Sequence, residues 1–432
     1  MRLRPTFRLY AQCYRCYSAL VGSSHYCSGG YMEAESATAE EPVVIVSADC
    51  HAGAPLLGYR DYLPRTWHDD FDSWSRDFVN PWSDLDEVRA DRNWNSTKRL
   101  GHLDEDGIVA EVIFPNTNPP FCPQTALVAG PPTAADYPRR WAGLKAHNRW
   151  LADFCREVPG RRAGIAQVLF NEPDEAVREL TWARDNGLTG GILLPPIPPG
   201  APIPPIWDES YEPIWAACAD LDIPINHHGG SGSPDYGGKP GMARLVYLQE
   251  FTFYSHRNLW LLIWSGLFER HPTLRYVVTE QSFDGVLNDA LTHDGLHSVL
   301  AGKVEYDTGD AMRELVGPKF IEGLGQAPSE FLRENIWFGV SFMRAADAGR
   351  RHEAGVERMM WGSDYPHTEG TWPDSRGSIA AAVAGVPPAE ARRILGLNAI
   401  DFYRFDAELL TSAAAELGPT PAQLGLAPDG AA

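Results

Sequence analysis

Short apolar runs recur along the chain, and longer amphipathic stretches separate them. Runs that are rich in Val, Ile and Leu and bounded by polar or Gly/Pro residues are typical of buried strands. Eight runs predict strands, and they are Val43–His51, Val109–Pro115, Ala163–Phe170, Gly191–Leu194, Ile223–Gly230, Leu274–Glu280, Asn335–Ser341 and Met359–His367. Helical spacing of apolar residues lies between them, as in Ala142–Val158 and in Pro173–Asn186.

Strands that alternate with helices indicate parallel strands joined by helical crossovers. Eight such units predict an α/β fold, a (β/α)8 TIM-type barrel. A doubly wound open sheet is the alternative, but no Gly-rich phosphate-binding turn follows a predicted strand. The stretch from Ala52 to about Arg99 has no clean period, and its tryptophans are Trp67, Trp74, Trp82 and Trp94. We predict that it is a long insertion after strand one, serving as a lid or pocket wall.

The charge balance excludes several classes of function. The chain has 432 residues, a formal net charge of -20 and a pI near 5.0, so it repels phosphate backbones and anionic lipid surfaces. No apolar run approaches the roughly 20 residues that a transmembrane helix needs. We therefore expect a small-molecule substrate, no nucleic acid and no membrane.

The composition near the two ends suggests flanking segments around one domain. We predict a leader without fixed structure over residues 1–42, the barrel over 43–410 and a C-terminal tail over 411–432. The leader contains four residues that could ligate zinc, Cys13, Cys16, His25 and Cys27, but no surrounding hairpin or helix pattern would hold a zinc finger. The seven cysteines do not suggest a disulfide framework, so we expect a reducing, cytoplasmic location.

Four predicted strands end in side chains that can bind metal. Strand one ends in Asp49 and His51, strand five in His228, strand six in Glu280 and strand eight in Asp364. The C-terminal ends of barrel strands meet at one face, so these side chains should converge. Carboxylates and imidazoles bind divalent ions, and a catalytic site keeps one position for water. The pattern predicts a metal site of Asp49, His51, His228 and Asp364, with Asp364 also a general base toward metal-activated water.

Each of these side chains has a structural alternative. An Asp at a strand end could cap a turn, and a His before Gly-Gly could be hydrogen-bonded in a loop. His227 and His228 point to opposite faces of a strand, so only one of them can be a ligand. Glu280 could bind the metal, act as an acid, hold a ligand histidine or pair with Arg275. His367 could donate a proton, bind a substrate carboxylate or cap the following turn.

Five segments together resemble a known family. They are Ser47–Pro55, Asp222–Gly230, Ser265–Pro272, Trp361–His367 and Ile394–Ala399. From about Val43 to Asp406 the chain resembles the amidohydrolase-related proteins, in the branch of the aminocarboxymuconate-semialdehyde decarboxylase type. The resemblance implies a (β/α)8 barrel, often a homodimer, with one divalent metal at its C-terminal face, commonly zinc or manganese. It places metal ligands at Asp49, His51, His228 and Asp364, and it implies either hydrolysis or removal of carbon dioxide.

Two departures from the family pattern shape the functional prediction. Many members begin with His-x-His or Glu-x-His, where this chain has Asp49-Cys50-His51. The family's decarboxylases place a catalytic histidine at the end of strand six, where this chain has Glu280. We therefore predict a zinc-dependent hydrolase, with manganese as the alternative ion, acting on a small aromatic or cyclic molecule through Asp364, His367 and Glu280. The alternatives are a metal-dependent decarboxylase of an aromatic or enoic acid and a metal-free binding barrel.

Overall fold

The computed structural model describes residues 41–79, 89–125, 127–304, 309–323 and 325–426. The predicted leader, with its possible zinc ligands Cys13, Cys16, His25 and Cys27, lies outside these residues. Trp82 of the predicted insertion and the last residues of the predicted tail, 427–432, also lie outside them.

Eight parallel strands form one sheet in chain order. They are β1 Val46–Ala52, β2 Ala110–Pro115, β3 Arg162–Gln167, β4 Gly191–Leu193, β5 Ile225–His228, β6 Tyr276–Thr279, β7 Ile336–Ser341 and β8 Met359–Gly362. The sheet closes between β8 and β1, where the Asp364 N–H donates to the Asp49 carbonyl at 2.8 Å and the His51 N–H to the Tyr365 carbonyl at 2.6 Å. The predicted (β/α)8 barrel is confirmed.

Helices connect the strands and cover the barrel. The α-helices are His68–Asp77, Ser96–Asp106, Tyr137–Arg156, Pro173–Asp185, Glu212–Asp220, Pro240–Trp264, Leu267–Arg270, Phe283–Leu300, Gly309–Val316, Pro318–Glu322, Pro328–Glu334, Ala345–Gly349, Arg351–Ala354, Ser375–Ala382, Pro388–Arg392, Asn398–Tyr403 and Ala407–Leu417, with a π-helical turn at Arg393–Leu397. None of these described helices combines the length and apolarity that crossing a bilayer requires.

The insertion between β1 and β2 is present as predicted. It contains the 3-10 turns Leu56–Tyr62, Arg65–Trp67 and Ala90–Asn93, together with the helix His68–Asp77. Phe71 of this helix is buried in a cluster with Phe121 from the loop after β2. The insertion therefore packs over the loop that follows β2, on the side of the barrel where the strands end.

The strands are buried on both faces. On β6, Val277 belongs to one apolar cluster, while Tyr276 and Val278 belong to another that includes Leu259 and Leu262 of the helix Pro240–Trp264. Parallel strands that are covered on both faces need apolar residues at successive positions. This is why the sequence shows the strands as nearly continuous apolar runs.

The C-terminal helix Ala407–Leu417 packs onto the barrel beyond the predicted domain end at residue 410. Its Leu410 and Ala414 are buried, and Leu424 in the following turn is buried as well. The Val43 N–H donates to the Pro419 carbonyl at 2.8 Å, which ties this segment to the start of the barrel. Residues 411–426 therefore pack against the barrel.

Candidate metal centre

The ends of β1, β5 and β6 bring four of the predicted side chains together. Asp49, His51, His228 and Glu280 each offer one ligand atom, and these atoms lie within 4.8 Å of one another. Asp49 Oδ1 is 3.4 Å from His51 Nε2 and 3.7 Å from His228 Nε2. Glu280 Oε2 is 3.2 Å from His228 Nε2. The convergence expected at the C-terminal face of the barrel is present.

A second group extends this cluster along the end of β8. His51 Nε2 is 3.1 Å from Asp364 Oδ1, and His367 Nδ1 is 2.9 Å from the same oxygen. The rings of His51 and His367 stack with their centroids 4.1 Å apart. Because His51 belongs to both groups, all the predicted site residues form one continuous cluster.

The two innermost imidazoles are held in the orientation that a metal ligand requires. His51 Nδ1 lies 3.4 Å from the Pro115 carbonyl oxygen, and His228 Nδ1 lies 3.0 Å from the Gly229 carbonyl oxygen. A carbonyl oxygen only accepts hydrogen bonds, so each Nδ1 carries the proton. Each Nε2 then presents a lone pair toward the cluster, and this is how backbone carbonyls commonly orient ligating histidines.

Left-handed backbone turns direct the two other carboxylates across the mouth. Glu280 directly follows β6 with a φ of 51°, and Asp364 lies just beyond β8 with a φ of 58°. A left-handed backbone conformation is unfavourable for residues other than glycine. Backbone strain of this kind is concentrated at functional sites. At Gly229 an added Cβ would lie 2.2 Å from the Glu280 carbonyl oxygen, so the residue after His228 must be glycine.

Burial and mutual charge set the protonation of the carboxylates. Burial would raise the pKa of Asp49, but its interactions with His228 and His51 outweigh burial and hold that pKa far below its ordinary value. Burial also opposes ionisation of Asp364, yet His367 and His51 keep its pKa low. Burial raises the pKa of Glu280 well above its ordinary value, and the charges of Asp364 and Asp49 raise it further against the opposing effect of His228.

The donor atoms fit a divalent cation. Asp49 Oδ1, His51 Nε2, His228 Nε2 and Asp364 Oδ2 are buried, and none has a hydrogen-bond partner of normal geometry within the described part of the chain. Buried polar atoms without partners are costly, and an ion that they bind would remove that cost. Donors about 2.1 Å from one ion stand about 3.0–3.5 Å apart. Asp49 Oδ1 is 3.4 Å from His51 Nε2 and 3.7 Å from His228 Nε2, and His51 Nε2 is 3.1 Å from Asp364 Oδ1. Histidine nitrogens with carboxylate oxygens suit zinc or manganese.

Three residues that the sequence reasoning missed support the cluster from outside. Ser341, the last residue of β7, donates its hydroxyl to Asp49 Oδ2 and so leaves Oδ1 facing the histidines. His367 Nε2 lies 3.2 Å from Asn116 Oδ1 just after β2, and the Asn116 amide in turn donates to Asn93 Oδ1 at 2.7 Å. Ser341 and Asn116 stand at strand ends, so the signal that identified the ligands could have found them too.

The positions of His227 and Arg275 in the fold decide two questions that the sequence left open. His227 is buried with its ring edge toward Tyr276 and does not belong to the ligand cluster, so His228 alone of the pair faces it. Arg275 Nε lies 2.9 Å from Asp222 Oδ1, so Arg275 pairs with Asp222. The suggestion that it pairs with Glu280 is wrong. Glu280 instead faces His228.

The comparison with protein families agrees with this geometry. The family model described as amidohydrolase matches residues 48–293 and 322–405, and these ranges include every residue of the cluster. The chain belongs to the amidohydrolase family. The resemblance stated from the sequence motifs is therefore confirmed.

Individual relatives of this amidohydrolase are known. The gamma-resorcylate decarboxylase of Rhodococcus jostii (strain RHA1) is 28% identical over 228 residues, which is 50% of this chain and 63% of that protein. The chain thus spans less than two thirds of that relative. The 5-carboxyvanillate decarboxylase of Sphingomonas paucimobilis has a TM-score of 0.60 at 18% identity, covering 84% of this chain and 100% of the other.

A further solved structure carries a metal. The dihydroxybenzoic acid decarboxylase of Polaromonas sp. JS666, solved with manganese and the inhibitor 2-nitroresorcinol, has a TM-score of 0.55 at 18% identity and covers 85% of this chain and 98% of the other. At 18% sequence identity, the likeness to these solved structures shows a shared fold and no more.

Proposed function

We propose that this amidohydrolase is a metal-dependent carboxy-lyase that removes carbon dioxide from a small aromatic acid. The observation that carries the proposal is the cluster of Asp49, His51, His228 and Glu280, joined through His51 to Asp364 and His367, in a chain with detectable sequence similarity to gamma-resorcylate decarboxylase. Glu280 led the sequence reasoning to hydrolysis. The similar proteins support the decarboxylase alternative more strongly, and the Polaromonas structure supports manganese ahead of zinc.

The proposed reaction is non-oxidative. The bond between the ring carbon and the carboxylate breaks, carbon dioxide leaves, and the same ring carbon takes up one proton. Asp49, His51, His228 and Asp364 would hold the divalent ion, which when bound polarises substrate oxygens and neutralises their charge. Hydrogen bonds from the His51 and His228 Nδ1 atoms to backbone carbonyls keep both rings in the ligating orientation.

Two side chains beside these ligands can hold the proton that the ring receives. His367 faces the Asp364 carboxylate through Nδ1 and the side-chain oxygen Oδ1 of Asn116 through Nε2, so both of its nitrogens can act as donors. Glu280 Oε2 stands on the other side of the cluster, next to His228. Both side chains are partly exposed, at 14% and 23%, so both are accessible to a substrate.

The test is carbon dioxide release by the full chain after its metal is stripped with a chelator and replaced by Mn²⁺ or Zn²⁺. We expect the metal-loaded protein to release one molecule of carbon dioxide for each molecule of product from 2,6-dihydroxybenzoate, 5-carboxyvanillate or a related acid. The metal-free protein should release none. Deuterium from solvent should appear on the product ring. A loaded protein that releases no carbon dioxide from any aromatic acid would contradict the proposal.

Hydrolysis is the second candidate because Glu280 offers a carboxylate base at the end of β6. Incorporation of ¹⁸O from labelled water into the product of an ester or amide would identify it. Failure to bind any divalent metal would instead leave the metal-free binding barrel. These three outcomes are distinct in the same set of samples.

We also propose a cytoplasmic homodimer. The cysteines Cys50, Cys122, Cys155 and Cys218 are unpaired and buried, which is compatible with a reducing compartment. Sedimentation velocity should give twice the chain mass of 47.7 kDa. A species of single chain mass at micromolar concentration would contradict the dimer.

A further inference from the structure

A small cavity lies beyond the ends of β1 and β2, on the same face of the barrel as the metal centre. Its volume is ≈ 190 Å³, and its walls come from Ala54, Leu56, Phe78, Ala90, Trp94, Thr117 and Asn118. Pockets for drug-sized ligands are about 300–1,000 Å³, so this one suits a single ring. Five of its seven lining side chains are apolar or aromatic, and among the described residues none that lines it is cationic.

Hydrogen bonds connect the wall of this cavity to the metal centre. The Asn93 amide donates to the carbonyl of Ala90, a wall residue, at 3.1 Å. Asn93 Oδ1 accepts from Asn116, and Asn116 Oδ1 faces His367 Nε2. The loops after β1 and β2 also touch directly, because a Cβ added at Gly53 would lie only 2.1 Å from Thr117 Oγ1. The wall is therefore linked to His367 through Asn93 and Asn116, and the wall residues Thr117 and Asn118 directly follow Asn116 in the chain.

Asn118 is the polar group in this wall that lacks a partner. Its side chain is 4% exposed, and neither Oδ1 nor Nδ2 has a hydrogen-bond partner among the described residues. The hydroxyl of its neighbour Thr117 is instead bonded to the Tyr59 hydroxyl at 2.7 Å. A buried amide that no protein group satisfies is unfavourable, so a ligand group in the cavity would be stabilised by bonding to it.

We propose that this cavity holds the aromatic ring of the substrate and that Asn118 selects rings bearing a hydroxyl group. The carboxamide offers one acceptor and two donors, and a phenolic hydroxyl can both donate to Oδ1 and accept from Nδ2. A carboxylate could only accept, so it would leave Oδ1 unpaired, and none of the described residues of the wall is a cation that would favour it. The assignment rests on the proposed aromatic-acid chemistry and narrows it to hydroxylated aromatic acids, with the carboxylate toward the metal.

The test compares phenol with toluene, which have nearly the same size but differ in the hydroxyl. Ligand-observed NMR titration of the metal-loaded full chain would measure both affinities without any turnover. We expect phenol to bind at least about tenfold more tightly than toluene, equivalent to about 1.4 kcal/mol. The variant Asn118→Leu should lose this preference, while its affinity for toluene stays the same or rises.

A matched control makes the same change in a buried asparagine that does not line the cavity. Asn258 is 1% exposed on the helix Pro240–Trp264, and Asn258→Leu should keep the preference for phenol. In the carbon dioxide assay, Asn118→Leu should lower kcat/KM at least about tenfold for hydroxylated acids, mainly through KM, and so reduce the preference for them over acids without the hydroxyl.

The outcomes separate this proposal from the proposed function. If Asn118→Leu retains the phenol preference, or if the parent protein shows none, the role of Asn118 is refuted. If the preference depends on Asn118 but no acid releases carbon dioxide, the ring site is supported and the carboxy-lyase reaction is refuted.

Discussion

Two adjacent histidines illustrate how the site is determined at the scale of single residues. His227 and His228 are both buried on β5, but alternate residues of a strand face opposite sides. His228 Nε2 therefore reaches Asp49 and Glu280, while His227 faces Tyr276 on the other side. The alternation could be predicted from the sequence, which already indicated that only one of the two is a ligand.

The pair provides a matched test of the metal centre. We expect His228→Asn to abolish stoichiometric binding of Mn²⁺ or Zn²⁺, because it removes one of the four proposed ligands. His227→Asn should retain the metal, since its ring lies outside the ligand cluster. Elemental analysis of both variants after dialysis measures the result. Equal metal content in the two variants would refute His228 as a ligand.

A buried histidine away from the metal predicts how stability depends on pH. His147 has no exposed surface, its Nδ1 is 2.9 Å from the Tyr59 hydroxyl, and burial lowers its pKa from 6.5 to about 3. Below pH 6.5 the unfolded chain binds a proton at this histidine and the folded chain does not. The free energy of unfolding should therefore fall as the pH drops from 6.5 toward 3, by up to about 1.4 kcal/mol per pH unit from this residue.

The variant His147→Gln isolates this contribution. Between pH 6.5 and 5, it should reduce the number of protons taken up on unfolding by up to about one. It also removes the hydrogen bond to Tyr59 and so lowers stability at pH 7. Urea denaturation at several pH values measures the slope. Parallel stability curves for the parent and the variant would contradict the neutral, buried state of His147.

At the scale of whole elements, the ends of the strands carry the chemistry, and the segments that follow complete the fold. The eight strands could be predicted because each is a local apolar run. The packing of the C-terminal segment could not, because Leu424 becomes buried only through contact with residues far away in the chain. A local pattern cannot indicate which distant surface will cover an apolar side chain.

The contribution of the C-terminal segment can be measured directly. Leu424 is fully buried, so Leu424→Ala should lower the free energy of unfolding by about 2–5 kcal/mol. The control Leu315→Ala alters a leucine that is 88% exposed and should change it by less than about 0.5 kcal/mol. Urea denaturation of both variants checks this. Equal effects would show that residues 411–426 do not stabilise the barrel.

At the scale of the whole molecule, the net charge of -20 affects how an anionic substrate approaches. Repulsion between an acidic protein and an aromatic carboxylate weakens as salt screens it, and the Debye length falls from about 30 Å at 0.01 M to about 8 Å at 0.15 M. We expect kcat/KM for the acid to rise with ionic strength over this range. The affinity for the uncharged ligand phenol should stay constant. A fall in kcat/KM for the acid would indicate that a local positive field dominates its approach.

The sequence by itself determined the barrel and the ligand types. Apolar runs, helical spacing and the residues that end each strand are local features, and barrel geometry brings the strand ends together. This was enough to predict Asp49, His51, His228, Glu280, Asp364 and His367 as neighbours. It favoured hydrolysis, because Glu280 stands where the family's decarboxylases have a histidine, whereas the similar proteins favour decarboxylation.

Only the tertiary structure decided which distant groups orient these side chains. Ser341 reaches Asp49 across the barrel mouth, Asn116 reaches His367, and Asn118 is left without a partner among the described residues in the wall of the cavity. Each of these facts depends on contacts between segments that are far apart in the chain. Hydrogen bonding and burial of this kind are properties of the closed barrel, so no local pattern in the sequence could specify them.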